Sequence, residues 1–275
     1  MTLRSRNRIF FIFYVFSCVC LFLSVFHFVL AGFNSEITPP EDTVRLINIF
    51  SSTAAGRPDF YAAIAGIFAF TLYVPIVACS VWRGFEKTQS IEVIYFELFL
   101  LGCLTEALRI VLAMNGVWKT SSTTLLFIGR FVMSGRMLSP LSLLFASLFS
   151  ENDQRQNVER NIFIVLILSI LTGLSIPLDT YHIASSITVL WGTRTLFSTV
   201  RILLAVISFV CLIINAATKY SSESGKLLSG YAILIIGYGF MCSCDCWLFF
   251  GLGALGLSAG TYIYLRSVHG LYLWR

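Results

Sequence analysis

Residues Leu227–Leu265 read LLSGYAILIIGYGFMCSCDCWLFFGLGALGLSAGTYIYL, 39 residues in which Asp245 is the only charged side chain. A helix needs about 20 residues to cross the roughly 30 Å hydrocarbon core of a bilayer. This tract is therefore too long for one crossing and just long enough for two. A break at Ser243-Cys244-Asp245-Cys246-Trp247 divides it into spans Leu227–Cys242 and Leu248–Leu265 joined by a tight turn.

Working outward, the same reading applies to most of the chain. Of 275 residues, 57% are apolar and 12% charged, whereas soluble domains run to about 25% charged. A water-soluble fold with this composition would be unable to cover its own surface. Further apolar spans fall at Ile9–Ala31, Phe60–Trp82, Ile91–Met114, Thr124–Phe149, Ile162–Leu178 and Thr195–Thr218. The expected fold class is thus an all-α polytopic transmembrane bundle forming a single domain with no soluble domain. It has eight spans, or seven if the final tract is one helix with an interfacial tail.

Basic residues choose between these counts through the positive-inside rule. Arg4, Arg6 and Arg8 set the N terminus in the cytoplasm. Arg83, Lys87, Arg155, Arg160, Lys219 and Lys226 then also fall inside, and Arg45, Arg57, Lys119 and Arg194 outside. Eight spans add Arg266 and Arg275 to the inner set, which favours that count. A rival reading takes Val29-Leu30-Ala31 as a signal-peptide cleavage site. The 23-residue run Ile9–Ala31 is longer than the usual signal core and favours an uncleaved anchor.

The connections offer little room for other structure. On the outer side, Val44, Ile47 and Phe50 behind Asp42 suggest a short surface helix. Asp179–Gly192 suggests a second, with Asp179 as cap and Ile183, Ile187, Leu190 and Trp191 on one stripe. The inner loops are too short for a catalytic or nucleotide-binding domain, so signal output would pass to a cytoplasmic or membrane partner protein. Cys242, Cys244 and Cys246 at the outer turn read as small residues packing a tight bend. They lack the His partners and paired spacing of a metal site. Gly256 and Gly260 form a small-xxx-small pair suited to close packing or to a homodimer.

Ionisable groups inside spans are costly and therefore point to function. At about 1.5 Å of rise per residue, Arg109, Arg130 and Arg201 lie roughly 8–11 Å below the outer boundary and Glu106 roughly 12–14 Å. Arg136 lies deeper, and Glu97 toward the inner side. Glu106 and Arg109 are three apart and can pair on one helix. Glu106 can also reach Arg130 across the hairpin of the third and fourth spans. At least one outer Arg then lacks a carboxylate and should face water, a headgroup or an anionic ligand. Arg130 and Arg136 are six apart, about 120° around the helix, so they occupy different walls.

The ligand-binding candidates are accordingly Arg109, Arg130, Arg201, Glu106 and Arg136. Glu97, Asp179, His182 and Asp245 are accessory candidates. A purely structural ion-pair role is the competing reading. The motifs of intramembrane proteases and of paired-His metal enzymes are absent, and no nucleophile–base constellation appears. No cofactor, metal or nucleic-acid partner is implied. The expected function is therefore non-enzymatic: sensing or binding an anionic small molecule or lipid headgroup in an outward-facing pocket. The alternatives are a small solute transporter or transporter subunit, and then a lipid-modifying enzyme. The absence of an Asn-x-Ser/Thr sequon points to a bacterial inner membrane.

Overall fold

The computed structural model describes residues 3–34, 37, 39, 43–45, 53, 56–86, 88, 90–114, 122–149, 158–219 and 222–273. Asp42, Ile47, Phe50, Lys87, Lys119, Arg155 and Arg275 lie outside this set. The chain forms α1 (Leu3–Phe33), β1 (Thr43–Val44), α2 (Phe60–Gly84) and α3 (Ile91–Leu104). A 3-10 turn (Thr105–Leu108) then leads into the single turn α4 (Arg109–Leu112). After these come α5 (Ser122–Leu148), α6 (Val158–Ser175), β2 (Leu178–Ala184), β3 (Thr188–Trp191), α7 (Arg194–Lys219), α8 (Ser222–Cys242) and α9 (Trp247–Leu273).

Seven of these helices are long and apolar enough to cross a membrane. The tract Leu227–Leu265 does divide into two of them, α8 and α9, around the turn that contains Asp245. Their outer faces carry large apolar side chains that only lipid would cover. On α7, for example, Leu196, Ile202, Leu203 and Ile214 are each more than half exposed. The chain is thus an integral membrane protein built as a helical bundle.

Small residues set the closest helix contacts. In α1 the buried positions Phe10, Ser17, Ser24 and Ala31 recur every seven residues. Such a seam keeps one face turned toward a partner along the whole helix, here mainly α2. Between α8 and α9, a Cβ on Gly256 would stand 3.0 Å from the Gly237 Cα. One on Gly260 would meet the backbone of Leu234. The Gly256/Gly260 pair is therefore used inside the chain, in the α8–α9 contact.

Both ends of the bundle are tied by polar contacts. At one end the Arg6 guanidinium donates to the Phe85 carbonyl at 2.7 Å and to the Thr88 carbonyl. The Phe85 ring meets His269 edge-on with centroids 5.4 Å apart. At the other end Asp59 caps α2, accepting from the Tyr61 N–H at 2.9 Å. Its second carboxylate oxygen accepts from Trp247 Nε1 at 2.7 Å.

The helix expected over Asp179–Gly192 is instead a β-hairpin, and Val44 belongs to a strand rather than a helix. β2 pairs antiparallel with β3 and parallel with β1, in the order β1-β2-β3. The segment is rich in β-branched and aromatic residues, whose crowded χ1 favours strands. Its buried residues Ile183, Ala184, Ile187, Val189, Leu190 and Trp191 occupy both faces, so no single helical stripe could bury them all. Asp179 does not cap a helix; it accepts from the Tyr181 N–H at 3.0 Å. The hairpin turns through Ser185–Ile187, where Ile187 takes φ 55°, a left-handed conformation uncommon for a β-branched residue.

Candidate functional site

The hairpin turn lies over the bundle's most buried charges. Glu106 sits in the 3-10 turn, where side chains three apart eclipse, and this stacks Arg109 beside it. Arg109 Nη1 donates to Glu106 Oε2 at 2.7 Å. Arg136 of α5 approaches from the other side, its Nε donating to Oε1 at 2.7 Å and its Nη2 to Oε2 at 3.1 Å. All three residues are at most 1% exposed. A buried charge persists only when paired and hydrogen-bonded, and two cations on one carboxylate leave one net positive charge in a dry site.

The spare donors of both arginines reach backbone carbonyls on other elements. Arg109 donates to the carbonyls of Ser186 and Ile187 in the hairpin turn. Arg136 Nη2 donates at 2.9 Å to the carbonyl of Cys242, the last residue of α8. The triad thus joins the 3-10 turn, α4, α5, the hairpin and the α8 terminus. It is closed to solvent and cannot itself receive a ligand in this arrangement.

The structure corrects one expected pairing. The second guanidinium on the Glu106 carboxylate is that of Arg136, not Arg130. Counting residues along α5 places Arg136 deeper than Glu106, but its long side chain reaches back to that layer. The two arginines do lie on different walls of α5, as their spacing requires. Arg130 is half-buried on the rim of a cavity of about 540 Å³ lined by Ser122, Phe127, Phe131, Leu174 and Thr180. Its Nε is buried without a hydrogen-bond partner among the described residues.

Arg201 of α7 stands next to the triad. Its guanidinium lies 5.8 Å from the Phe197 ring and 5.7 Å from the Tyr238 ring. Phe197 is 5.9 Å from Trp191, and the Arg136 guanidinium is 5.9 Å from Trp191 on the other side. Three polar atoms in this aromatic cluster, Arg201 Nε, Trp191 Nε1 and Tyr238 Oη, are buried and make no hydrogen bond among the described residues. The Cys242 thiol, next to Tyr238, lies 3.9 Å from Glu106 Oε1, so the cluster adjoins the triad directly. Each unpartnered buried polar atom is expensive, and hydrogen-bond donors dominate this set.

The accessory candidates separate. Asp245 accepts from Arg45 Nε at 3.1 Å and from Ser185 Oγ at 2.8 Å, fastening the α8–α9 turn to the sheet. Asp179 and His182 pair at 2.8 Å on the exposed face of the hairpin. The His182 hydrogen bond, aided by the Tyr181 N–H, holds the Asp179 carboxyl below the usual range. Glu97 shares a helix face with Val93, Leu100 and Leu104, and neither carboxylate oxygen has a partner among the described residues. Cys242, Cys244 and Cys246 are buried free thiols. Cys244 packs on Gly66, where a Cβ would come within 2.8 Å of its sulfur, and burial pushes its thiol up to about 12.

Two members of the Arg201 cluster carry little signal in the sequence. Trp191 reads there as one residue of an apolar stripe, and Tyr238 lies unremarked within the span Leu227–Cys242. The available signal is that Tyr238 and Cys242 are four apart on α8, one turn from the polar layer. The fold defines the class, a polytopic helical membrane protein. No protein-family model matches the chain, and no curated protein matches it significantly.

Proposed function

We propose that the protein is a non-enzymatic membrane receptor for an anionic group, a lipid headgroup or a small oxyanion, bound at Arg201 with Trp191 and Tyr238. The observation that carries this reading is that Arg201 Nε, Trp191 Nε1 and Tyr238 Oη gather in one cluster and make no hydrogen bond among the described residues. An anion accepting from Arg201 and Trp191 would satisfy donors that now lack acceptors. The neighbouring triad, with its net positive charge, adds to the attraction.

Occupancy has a physical route onward. An anion beside Arg201 draws on Arg136 across Trp191, and Arg136 is held by the same carboxylate that orients Arg109 on the hairpin. A small shift there changes contacts on five elements, from which a partner protein would read the state. A transporter is the second reading, favoured by Glu97: a carboxylate without a partner among the described residues, further along α3, could continue a polar path inward.

An eight-crossing arrangement with a cytoplasmic N terminus supports an outer location for this site. α3, the 3-10 turn and α4 run on as 14, 4 and 4 residues, a helical path of about 33 Å. Contacts of Arg6 and His269 with Phe85 bring both ends of the chain to one side of the bundle, which an even number of crossings requires.

The test is a thermal-shift titration in neutral detergent with phosphate, sulfate and short-chain phosphatidylglycerol. At least one should raise the melting temperature of the native protein and none that of R201Q. An equal response of both proteins refutes the site. In proteoliposomes, accumulation of the bound anion would select the transporter.

A further inference from the structure

We propose that the groove between α2 and α9, at the opposite end of the bundle from Arg201, holds an anionic phospholipid with its headgroup at Arg266 and His269. The groove has a volume of about 730 Å³ and is walled by Leu72, Ile76, Val77, Leu257, Thr261 and Leu265. Its hydroxyls are already satisfied. Tyr73 and Thr261 bond each other at 2.6 Å, Ser80 donates to the Ile76 carbonyl, and Ser258 donates to the Ala254 carbonyl. The walls therefore ask for a hydrocarbon chain, not a polar solute.

The charge is confined to one end. Arg266 is exposed there, with one guanidinium nitrogen donating to the Tyr262 hydroxyl at 2.9 Å. His269 lines the same end, and its Nδ1 is buried without a partner among the described residues. Arg6 stands close by on the Phe85 carbonyl. No described residue lining the groove is acidic. Glu86, the nearest carboxylate in sequence, lines a separate cavity with Arg4, Asn7 and Arg8.

Length agrees with a lipid. From Ala254 to His269 the α9 wall extends about 22 Å, more than the roughly 15 Å that half a 30 Å hydrocarbon core requires. The groove thus accommodates an acyl chain along one leaflet and still reaches the headgroup level, where basic residues attract anionic lipids. A basic end with an apolar wall selects charge at one end and chain length along the other.

Photoactivatable phosphatidylglycerol and phosphatidylcholine analogues, incorporated with the full-length protein in nanodiscs, test this directly. Cross-links mapped by peptide mass should fall on α2 and α9 within the groove and favour phosphatidylglycerol by about fivefold for each cation engaged. R266Q/H269Q should abolish the preference, and S258W, a filling substitution at an exposed position, should reduce groove labelling by both lipids. Equal labelling by the two lipids, a preference that survives R266Q/H269Q, or labelling spread evenly over other lipid-facing helices would overturn the proposal. R201Q, at the far end, should not alter the cross-link pattern. This separates failure of the groove from failure of the outer site.

Discussion

Replacing Glu106 with Gln tests whether the triad is the dry, closed ion cluster that its geometry describes. The carboxylate accepts three hydrogen bonds of 2.7–3.1 Å from two guanidinium groups and is 0% exposed. Gln preserves the volume but removes the charge and turns an N–H₂ toward one guanidinium. Two buried cations are then left without a counterion. Summing charge-assisted hydrogen bonds would overstate the loss, because such contributions are not additive. The relevant scale is the removal of one partner from a buried pair, about 3–5 kcal/mol. At about 2–4 °C per kcal/mol for a chain of this size, the melting temperature should fall by roughly 10 °C.

The molecule carries its own reporters for this assay. Cys103, Cys242, Cys244 and Cys246 are buried free thiols, so a thiol-reactive dye reads unfolding on heating in mild detergent. A melting temperature within about 2 °C of the native value would mean that water already screens the cluster, and the reasoning would fail. A triple apolar substitution, E106L/R109M/R136L, provides an internal check. It should cost less than E106Q because no unpaired charge remains. Some loss is still expected, since the carbonyls of Ser186, Ile187 and Cys242 lose their donors.

Further outcomes follow from the exposed face of the hairpin and from the proposed topology. The Asp179 carboxyl is held low by His182 and the Tyr181 N–H. Its contribution to the hairpin is therefore full above the unfolded carboxylate range and is lost as pH falls through the lowered folded value. Amide protection at Tyr181 and His182, taken relative to the unstructured exchange rate, should fall as pH drops through that lowered value in the native protein, whereas D179N should show no such acid-dependent step. An alkaline phosphatase reporter fused after Arg275 should be inactive and a cytoplasmic fluorescent reporter active; the reverse result would contradict eight crossings.

Much of the bundle is legible in the sequence because the lipid environment outweighs every other constraint on these helices. Hydropathy over about 20 residues locates them, and Asp245 among small residues marks the turn between α8 and α9. Hydropathy does not report which helix face meets which. The partner of Glu106 depends on the local 3-10 winding at Thr105–Leu108 and on the reach of Arg136 from another helix. Neither leaves a periodic trace.

The hairpin at 178–191 is concealed for a related reason. Ile183, Ile187 and Leu190 satisfy helical spacing by coincidence, while burial on both faces and the turn at Ser185–Ile187 require strands. The sequence brings Arg109, Arg136 and Glu106 into consideration and places Arg201 in one layer with Arg109, Arg130 and Glu106, with Arg136 deeper. The acceptor-poor surroundings of Arg201 arise from Trp191, Phe197 and Tyr238 on separate elements. Such tertiary assembly has no local signature.

The anion site itself is tested most directly at the indole of Trp191. The chain has five tryptophans, so a ¹⁵N-labelled sample in detergent gives a small set of indole N–H resonances, with Trp191 assigned by W191F. On titration with short-chain phosphatidylglycerol or phosphate, the Trp191 N–H should move downfield in a saturable way as it donates to the anion. That shift should be absent in R201Q. A Trp191 resonance that stays in place while another site saturates, or that moves equally in R201Q, would contradict the assignment of this cluster as the binding site.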